Sequence, residues 1–180
     1  ELKTSKTRIT HTLQTVNGAS GFDFLGFHTR SEQHPVGKTH SGRKANGALL
    51  GYKTIIEPSR EAIRRHAAAI RETVRRYPNE PQAALIARLN PLIRGWTNYY
   101  ATVVSSRTFS KMGHLTYLKL RRWAKRRHPN WSGTQIAHEY WRLETGHWVF
   151  ATREGHRLHR HWQTPSCQGS GHRRQSTSGA

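Results

Sequence analysis

The sequence predicts a mainly α-helical protein, in which a bundle of helices is preceded by one β-hairpin and followed by a second, smaller one. Apolar residues in the middle of the chain recur at spacings of three and four, which is the period of an amphipathic helix. Aromatic residues alternate with smaller or polar ones near both ends, which is the period of a strand. Prolines at positions 58, 91 and 129 fall between these segments, where an element is expected to stop.

Residues 20–30 are predicted to form the first strand. Aromatic residues alternate there with smaller or polar ones, and Gly26 interrupts the pattern, as a glycine does at a β-bulge or at a close backbone approach. Residues 31–47 are expected to form a mobile basic loop, and residues 48–56 the returning strand. These two strands are the predicted N-terminal hairpin.

Residues 59–77 are predicted to form a helix with one apolar and one basic side. The apolar positions, which we expect to face the bundle, are Ile63, Ala67, Ile70, Val74 and Tyr77. Four arginines form a second stripe, roughly 60–120° around the helix from the apolar one; they are Arg60, Arg64, Arg71 and Arg75. Glu61 and Glu72 are expected on the far side, segregated from the arginines.

Two more helices are predicted to follow. Asn79 is the expected N-cap of the first, with Pro81 in its first turn, and Pro91 is expected to break or kink it. The second is expected from about residue 108 to residue 127. Its end, residues 119–128, contains six lysines and arginines, so it is the most basic stretch of the chain.

The C-terminal part is predicted to hold a short helix, a hairpin and a tail. Ser132 and Gln135 fit a capping box for a helix that ends near Leu143. The hairpin strands are expected on either side of a turn at residues 153–155. Residues 163–180 have almost no apolar content, and we expect them to be disordered.

The charge balance indicates a polyanionic partner. The 180 residues include 30 Lys and Arg against 10 Asp and Glu, for a formal net charge of +20. Leu, Ile, Val and Phe number only 32, so we expect a thin core that a polyanion steadies. The positive charge is concentrated at residues 38–44, 60–75 and 119–128. Because each neutralised phosphate releases counterions, such patches are typical of nucleic-acid binding.

Residue counts exclude several kinds of chemistry. Asp23 is the single aspartate, so the chain lacks the carboxylate cluster that two-metal phosphoryl transfer needs. Cys167 is the single cysteine, which excludes an internal disulfide and a zinc site built on several thiolates. The tightest histidine group is His156, His159 and His161, which has no carboxylate or thiol at ligand spacing. We therefore assign no catalytic residue and no metal ligand, and no apolar run is long enough to predict a membrane span.

The segment Leu89-Asn-Pro-Leu-Ile-Arg-Gly-Trp-Thr-Asn-Tyr-Tyr100 is unusual for a helix. Pro91 and Gly95 both oppose regular helix, and a glycine costs roughly 1 kcal/mol relative to alanine. We therefore expect a close approach at Gly95, either to a neighbouring helix or to a ligand backbone. The rings of Trp96, Tyr99 and Tyr100 fit either a bundle core or a binding surface.

This segment resembles the signature of the maturase domain, or domain X, of bacterial group II intron reverse transcriptases. Upstream, Lys6-Thr-Arg-Ile-Thr-His11 and Gly21-Phe-Asp-Phe-Leu-Gly-Phe27 resemble the last palm block of those enzymes. The turn Phe24-Leu-Gly-Phe27 within it resembles the primer grip. The resemblance covers about residues 3–163, but the catalytic Tyr-x-Asp-Asp block and the endonuclease motifs of the family are absent from this chain.

The resemblance implies four parts. Residues 1–57 correspond to the end of the palm, with the primer-grip-like hairpin, and residues 58–145 to the helical domain X, or thumb. Residues 146–162 form the terminal hairpin and residues 163–180 the disordered tail. Since the chain starts at Glu1 and departs from the family pattern near its end, we expect a piece or remnant of a longer protein.

The resemblance also implies a function in RNA binding. The chain is expected to assist the folding and splicing of a group II intron RNA and to grip template–primer duplex. The residues expected to contact phosphates are Arg60, Arg64, Arg71, Arg75, Arg121, Arg122, Lys125, Arg126 and Arg127. Phe24, Leu25, Gly26 and Phe27 are expected to support a primer end, and the domain X motif consists of Arg94, Gly95, Trp96, Asn98, Tyr99 and Tyr100.

Partners and location follow from the same resemblance. The expected partners are intron RNA, template–primer duplex and the fingers and palm portion of the same protein, and no membrane is involved. We expect a bacterial cytoplasmic protein. No cofactor is assigned to this chain, since Mg²⁺ is expected only for the full polymerase.

Two alternatives stay open at the level of sequence. The chain could be part of an active RNA-directed DNA polymerase that upstream sequence completes, although no polymerase activity is expected from this chain alone. It could also be an inert remnant of a decayed intron protein, which binds RNA only through its charge.

Overall fold

The computed structural model describes residues 11, 12, 14, 20–33, 45–48 and 51–166. Four helices lie between two small antiparallel sheets. In chain order the elements are β1 Phe22–Phe24, β2 Phe27–Gln33, β3 Tyr52–Pro58, α1 Arg60–Arg76, α2 Gln82–Tyr100, α3 Ser106–Arg127, α4 Gly133–Tyr140, β4 Trp141–Glu144, β5 His147–Phe150 and a 3₁₀ turn His161–Gln163. No helix of the described part is both long and apolar enough to cross a bilayer.

The N-terminal sheet has three strands, in the order β1-β2-β3, where a two-stranded hairpin was expected. Leu25 and Gly26 form a two-residue turn between β1 and β2, with φ angles of 48° and 83°. Two positive φ angles reverse the chain in the sense that matches strand twist. The predicted continuous strand over residues 20–30 is therefore wrong, and Gly26 does not form a bulge. The strand predicted to return at residues 48–56 is β3, which pairs with β2 in antiparallel register.

Helix α1 confirms the predicted helix, but its buried side is rotated from the expected one, and Ser59 caps it, which was not predicted. The Ser59 hydroxyl accepts a hydrogen bond from the Ala62 backbone N–H at 3.2 Å. The buried residues of α1 are Ala62, His66, Ile70 and Val74, while Ile63 and Ala67 are only partly buried against the same core. The rotation places the four arginines of the stripe further from the core, and all of them are exposed.

Helix α2 runs unbroken from Gln82 to Tyr100 and contains Pro91, so the predicted break is absent. Proline removes the hydrogen bond that the carbonyl of Ala87 would otherwise accept. Both Pro91 and Ala87 are exposed, so water can satisfy this carbonyl. The predicted N-cap, Asn79, is also wrong, because the N-cap residue is Pro81 and no side chain caps the helix.

Helices α3 and α4 lie close to their predicted positions. Helix α3 begins two residues before the expected start and ends at Arg127, ahead of Pro129. The predicted capping box of Ser132 and Gln135 is confirmed, with both reciprocal hydrogen bonds present. Helix α4 ends at Tyr140 and not near Leu143, because the next four residues pair as strand β4 with β5.

The C-terminal hairpin is made of different strands from those predicted. Strands β4 and β5 flank a turn at Thr145 and Gly146. The chain also turns at residues 153–155, as expected, but only one bridge, between Ala151 and Arg157, joins the two sides. Residues 163–166, predicted to be disordered, include Thr164, whose hydroxyl donates to the Thr97 hydroxyl at 2.9 Å. The rest of the predicted tail, 167–180, lies outside the described residues.

One apolar core joins the helices to the C-terminal hairpin. Its fully buried centre comes from Ile70, Leu85, Leu89, Ile93 and Met112. Side chains from α4, β4, β5 and the following segment complete it: Ile136, Tyr140, Trp141, Phe150 and Leu158. A second, smaller cluster of Ala62, Tyr100 and Phe109 receives Phe27 from β2, so the N-terminal sheet packs on the same bundle.

Candidate nucleic-acid interface

Two tyrosines at the end of the motif segment hold the turn of the N-terminal sheet. The Tyr99 hydroxyl donates to the backbone carbonyl of Leu25 at 3.0 Å, and the Tyr100 hydroxyl donates to that of Gly26 at 3.1 Å. The Phe27 ring lies 5.1 Å from each tyrosine ring. Burial raises the pKa of Tyr100, so its hydroxyl keeps the proton that it donates. The motif segment and the primer-grip-like turn, which lie far apart in sequence, are thus in direct contact.

Gly26 is required at this turn for two reasons. Its φ of 83° is one that side chains other than glycine's rarely adopt. A Cβ atom there would also lie 2.7 Å from the Tyr100 hydroxyl oxygen. The close approach that the sequence predicted at Gly95 therefore occurs at Gly26, whereas nothing among the described residues lies within 4 Å of the Cβ position of Gly95.

Asn90, near the middle of α2, holds the C-terminal segment. Its side-chain amide donates to the backbone carbonyl of Arg157 at 2.9 Å and accepts from the backbone N–H of His159 at 2.7 Å. This role of Asn90 was not predicted from the sequence. The feature that could have indicated it is a polar residue directly before Pro91, within an otherwise apolar helical stretch.

Trp96 covers a buried histidine pair. The Nε2 atoms of His66 and His161 lie 2.9 Å apart, and the Trp96 ring stacks on His66 with centroids 4.4 Å apart. Burial lowers the pKa of His66 to about 4. Burial, and then the neighbouring His66 and His159, lower the pKa of His161 to about 3. Both rings are therefore neutral at neutral pH, so one nitrogen donates the shared proton and the other accepts it.

The burial of His66 was not predicted, because a histidine is polar and the apolar stripe read from the sequence does not include it. Its position was the available signal, since it falls four residues after Ala62 and four before Ile70 on the buried side of α1. His161 falls within the predicted terminal hairpin, yet it is buried in a 3₁₀ turn. Within the described part of the chain, no group of three or more His, Cys, Asp or Glu side chains is placed to hold a metal ion.

The remaining residues of the motif face solvent. Arg94, Gly95 and Asn98 are exposed, and Tyr99 is half exposed, while Tyr100 is buried. The segment therefore has one side that holds the fold together and another that is free for contact with a partner.

The arginine stripe of α1 is exposed but not segregated from the acids. Arg64 pairs with Glu61 at 2.7 Å and Arg75 with Glu72 at 3.5 Å. The predicted segregation is wrong, because residues three apart are neighbours on a helix surface. Pairs as exposed as these contribute little to stability, so the arginines can exchange their partners for phosphates at small cost.

The basic end of α3 divides into exposed and engaged side chains. Arg121, Arg122 and Arg126 are exposed. The Lys125 ammonium, in contrast, donates to the carbonyls of Pro129 and Trp131 at 2.9 and 2.6 Å. The Arg127 guanidinium donates to the carbonyls of Pro78 and Glu80, at 3.2 and 2.8 Å, and lies over the Trp123 ring. Lys125 and Arg127 thus hold the ends of helices in place.

Cations from the two helices meet at one point. Burial, and then the positive charges of Arg71 and Arg122, lower the pKa of Lys119. Arg71 comes from α1, and the other two from α3. None of the three forms an ion pair with an acidic residue of the described part of the chain. The third basic patch of the sequence, residues 38–44, lies outside the described residues.

Residues 63–141 match the family model described as group II intron, maturase-specific domain. This part of the chain is therefore similar to the maturase-specific domain of group II introns. The match begins in α1, includes α2, α3 and α4, and ends at the first residue of β4. A comparison with curated proteins gave no match.

The maturase-specific domain supports a maturase-type role in group II intron splicing, with intron RNA as the partner. It contains the motif segment, the cation cluster at Lys119 and most of the arginine stripe. The primer-grip-like turn and the C-terminal segment that Asn90 binds lie outside the matched residues, although α2 holds both.

We predict that Gly26→Ala destabilises the protein more than Gly146→Ala does. Both glycines occupy the second position of a two-residue turn, with φ angles of 83° and 78°. The positive φ costs an alanine about 1–2 kcal/mol at either position. Only at Gly26 does the Cβ displace a hydroxyl, that of Tyr100, whose hydrogen bond contributes about 1 kcal/mol more. Urea denaturation of both variants measures the difference, and equal losses would show that the tyrosine contact adds nothing.

We also predict that the protein loses stability as the pH falls from about 6.5 to about 4. The pKa of a histidine in the unfolded chain is near 6.5, whereas burial lowers the pKa of His66 to about 4 and that of His161 to about 3. The unfolded chain then binds more protons than the folded chain, so acid lowers the free energy of unfolding, by about 2 kcal/mol per buried histidine between pH 7 and 5. Denaturation of the wild type and of His161→Gln at both pH values measures this.

The free energy of unfolding of the His161→Gln variant should depend less on pH than that of the wild type, whatever the stability of the variant at pH 7. The matched control is His138→Gln, because the His138 side chain is exposed on α4. If His161→Gln and the wild type lose the same free energy between pH 7 and 5, the buried pair does not cause the acid sensitivity.

Proposed function

We propose that the maturase-specific domain binds group II intron RNA on the face that α1 and α3 share, and that it thereby assists the folding and splicing of the intron. One observation carries the proposal: Arg71 and Arg122 lie close enough to Lys119 to lower its pKa, and none of the three forms an ion pair with an acidic residue in the described part of the chain. We call the surface that carries these three residues the α1/α3 face.

The cost of this arrangement supports a ligand of opposite charge. Like charges held near each other repel, and the partial burial of Lys119 weakens the screening by water. A free protein gains nothing from such a cluster. Phosphates of a nucleic acid would neutralise all three cations and release bound counterions, which turns the repulsion into affinity.

Further cations extend the α1/α3 face in both directions. On α1 they are Arg60, Arg64 and Arg75, and on α3 it is Arg126; all four are exposed. Arg121 is also exposed, but it lies on another side of α3, beside Gly133 of α4. Lys125 and Arg127 are left out of the proposed set, because their side chains already bond to carbonyls of the chain. Arginines spread over two helices suit the backbone of a folded RNA.

The recognition we propose is one of shape and phosphate position. Duplex RNA hides its base edges in a deep and narrow major groove, so a helical surface reads mainly its backbone. A rigid face is useful for this purpose, and the α1/α3 face is rigid because both helices share the apolar core. Holding several phosphates at fixed distances stabilises one RNA fold over others, which is the proposed maturase role.

The prediction is that Arg71→Ala combined with Arg122→Ala weakens binding to a structured group II intron RNA and flattens its salt dependence. The loss of two phosphate contacts should reduce the slope of log K against log salt by about 1.4–1.8. Stability should change by less than about 0.5 kcal/mol, because both side chains are exposed. Filter binding at several salt concentrations measures the slope.

The matched control removes two arginines of α1 that lie outside the arginine stripe. Arg65 and Arg76 are exposed and form no ion pair with an acidic residue of the described chain. Arg65→Ala combined with Arg76→Ala lowers the net charge by the same amount as the test variant. Equal losses of affinity and slope in the two variants would mean that net charge drives binding, as in the inert-remnant alternative, and would overturn the proposed face.

A second candidate function is support of a template–primer end. The observation that favours it is the turn between β1 and β2, where Phe24 and Leu25 are 65% and 71% exposed although the turn itself is held by Tyr99 and Tyr100. A fixed turn with apolar side chains in solvent suits a flat terminal base pair. The single aspartate, Asp23, bonds to His28 at 2.6 Å and belongs to no group of three or more potential metal ligands among the described residues, so we derive no Mg²⁺ chemistry from this chain.

For this second candidate, Phe24→Ala should weaken binding to a primer–template with a recessed end by about 5-fold or more, the loss typical of one aromatic contact with a base. Binding to a blunt duplex of the same length should not change. Ile56→Ala, which truncates another exposed apolar side chain of the same sheet, is the control. If Phe24→Ala affects both duplexes equally, the turn does not recognise an end.

A further inference from the structure

A groove of about 510 Å³ opens between α3 and the C-terminal segment. This volume lies within the range of small-ligand pockets. Leu120, Val149 and Phe150 line its floor, and Tyr117, Trp148 and Trp162 line it from more exposed positions. Most of the groove is formed by residues 147–162, which lie beyond the maturase-specific domain as matched.

The rim of the groove presents large aromatic rings to solvent. Tyr117, Trp148 and Trp162 are 41%, 52% and 42% exposed. Aromatic side chains bury more apolar area than other residues when they pack, and this chain has a thin core that could use that area. Three such rings around one groove therefore suit a ligand with flat, apolar faces.

The Trp162 ring is held in a fixed orientation. The Arg160 guanidinium lies 4.1 Å from the ring centroid, and the His147 ring meets it at 68° with centroids 5.0 Å apart. Gly113 of α3 leaves space beside it, since a Cβ there would lie 3.4 Å from the indole Cδ1. A ring that is fixed before binding loses little entropy when a ligand stacks on it or beside it.

The charges around the groove favour an anionic ligand. None of the described residues that line it is acidic, and Arg160 has a buried Nη1 atom with no hydrogen-bond partner in the described chain. The nearby Glu139 and Glu144 are paired with Arg153 and Arg157. The whole chain carries a formal net charge of +20, so an anion is attracted to the groove from a distance.

Flat apolar faces combined with negative charge are the chemistry of a nucleotide in a single strand. We propose that this groove binds an unpaired nucleobase of RNA, which stacks on Trp148 while its phosphate meets Arg160. The inference rests on the proposed RNA binding and adds to it a site for single-stranded segments, separate from the α1/α3 face. Unpaired bases are accessible in loops and bulges of a folded RNA, and aromatic rings are their usual partners.

The test compares two fluorescent probes of about ten nucleotides. One is a single-stranded RNA with all its bases, and the other has the same sugar-phosphate backbone without bases. Trp148→Ala in the full chain should weaken binding to the first probe at least about 5-fold, because stacking on an aromatic ring is lost. Binding to the abasic probe and the salt slope should stay unchanged, because stacking releases no counterions.

Two further variants separate stacking from folding. Trp148→Phe retains an aromatic ring and should restore most of the affinity. Leu143→Ala truncates the residue opposite Trp148 in the hairpin, which is 63% exposed and does not line the groove, so it should bind both probes as the wild type does.

The proposal is overturned if Trp148→Ala binds the two probes as the wild type does, or if it loses affinity for both equally. It is also overturned if base-dependent binding appears only after residues 167–180 are removed, since the chain's own C-terminal residues would then fill the groove. The α1/α3 face is tested independently by the salt slope on intron RNA, so a normal slope effect of Arg71→Ala with Arg122→Ala alongside an inert Trp148 would reject this inference alone.

Discussion

The hydrogen bonds from α2 to the backbone on either side of the bundle are the constraint on which the rest of the structure depends. Tyr99 and Tyr100 hold the turn of the N-terminal sheet, and Asn90 holds the segment that follows the C-terminal hairpin. These side chains project from one continuous helix. Because a helix fixes the spacing of its residues, α2 also fixes the spacing of the two β regions. Helix α2 therefore positions both the turn between β1 and β2 and the C-terminal segment that lines the groove, for which we propose contacts with nucleic acid.

Neutral polar groups lie inside the bundle and charged groups lie on its surface, although the two kinds alternate along the sequence. The polar groups inside the bundle are neutral: burial keeps His66 and His161 unprotonated, and their shared proton satisfies both rings. The positive charges lie on the exposed sides of α1 and α3, where several pair with glutamates and the cluster at Lys119 does not. The folded state therefore tolerates a high net charge, because repulsion is confined to a surface that a polyanion can cover.

Helix α3 shows how one element serves three purposes. Met112, Leu120 and Trp123 pack into the core. Lys119 and Arg122 face α1, and Tyr117 with its neighbours forms one wall of the aromatic groove. A helix of 22 residues has room for three such stripes, since successive residues point about 100° apart. The proposed RNA-binding surface and the groove are thus rigidly related, so a single RNA could span both.

The sequence by itself determined the helices, the capping box at Ser132, the excess of positive charge and the resemblance to the maturase-specific domain, because these depend on local periodicity, local hydrogen bonds, residue counts and motifs. It misplaced what depends on partners far away in the chain. The turn at Gly26 was expected inside one continuous strand, the helix was expected to break or kink at Pro91, and residues 147–162 were expected to form a hairpin. Register, solvent exposure and strand pairing are not specified by a single segment. Similarly, only the packed structure brought Tyr100 to Gly26, His66 to His161 and Arg71 to Lys119 and Arg122. Residue types and spacing specify the elements, but contacts between residues 74 or 95 positions apart exist only once the core has set the distances between those elements.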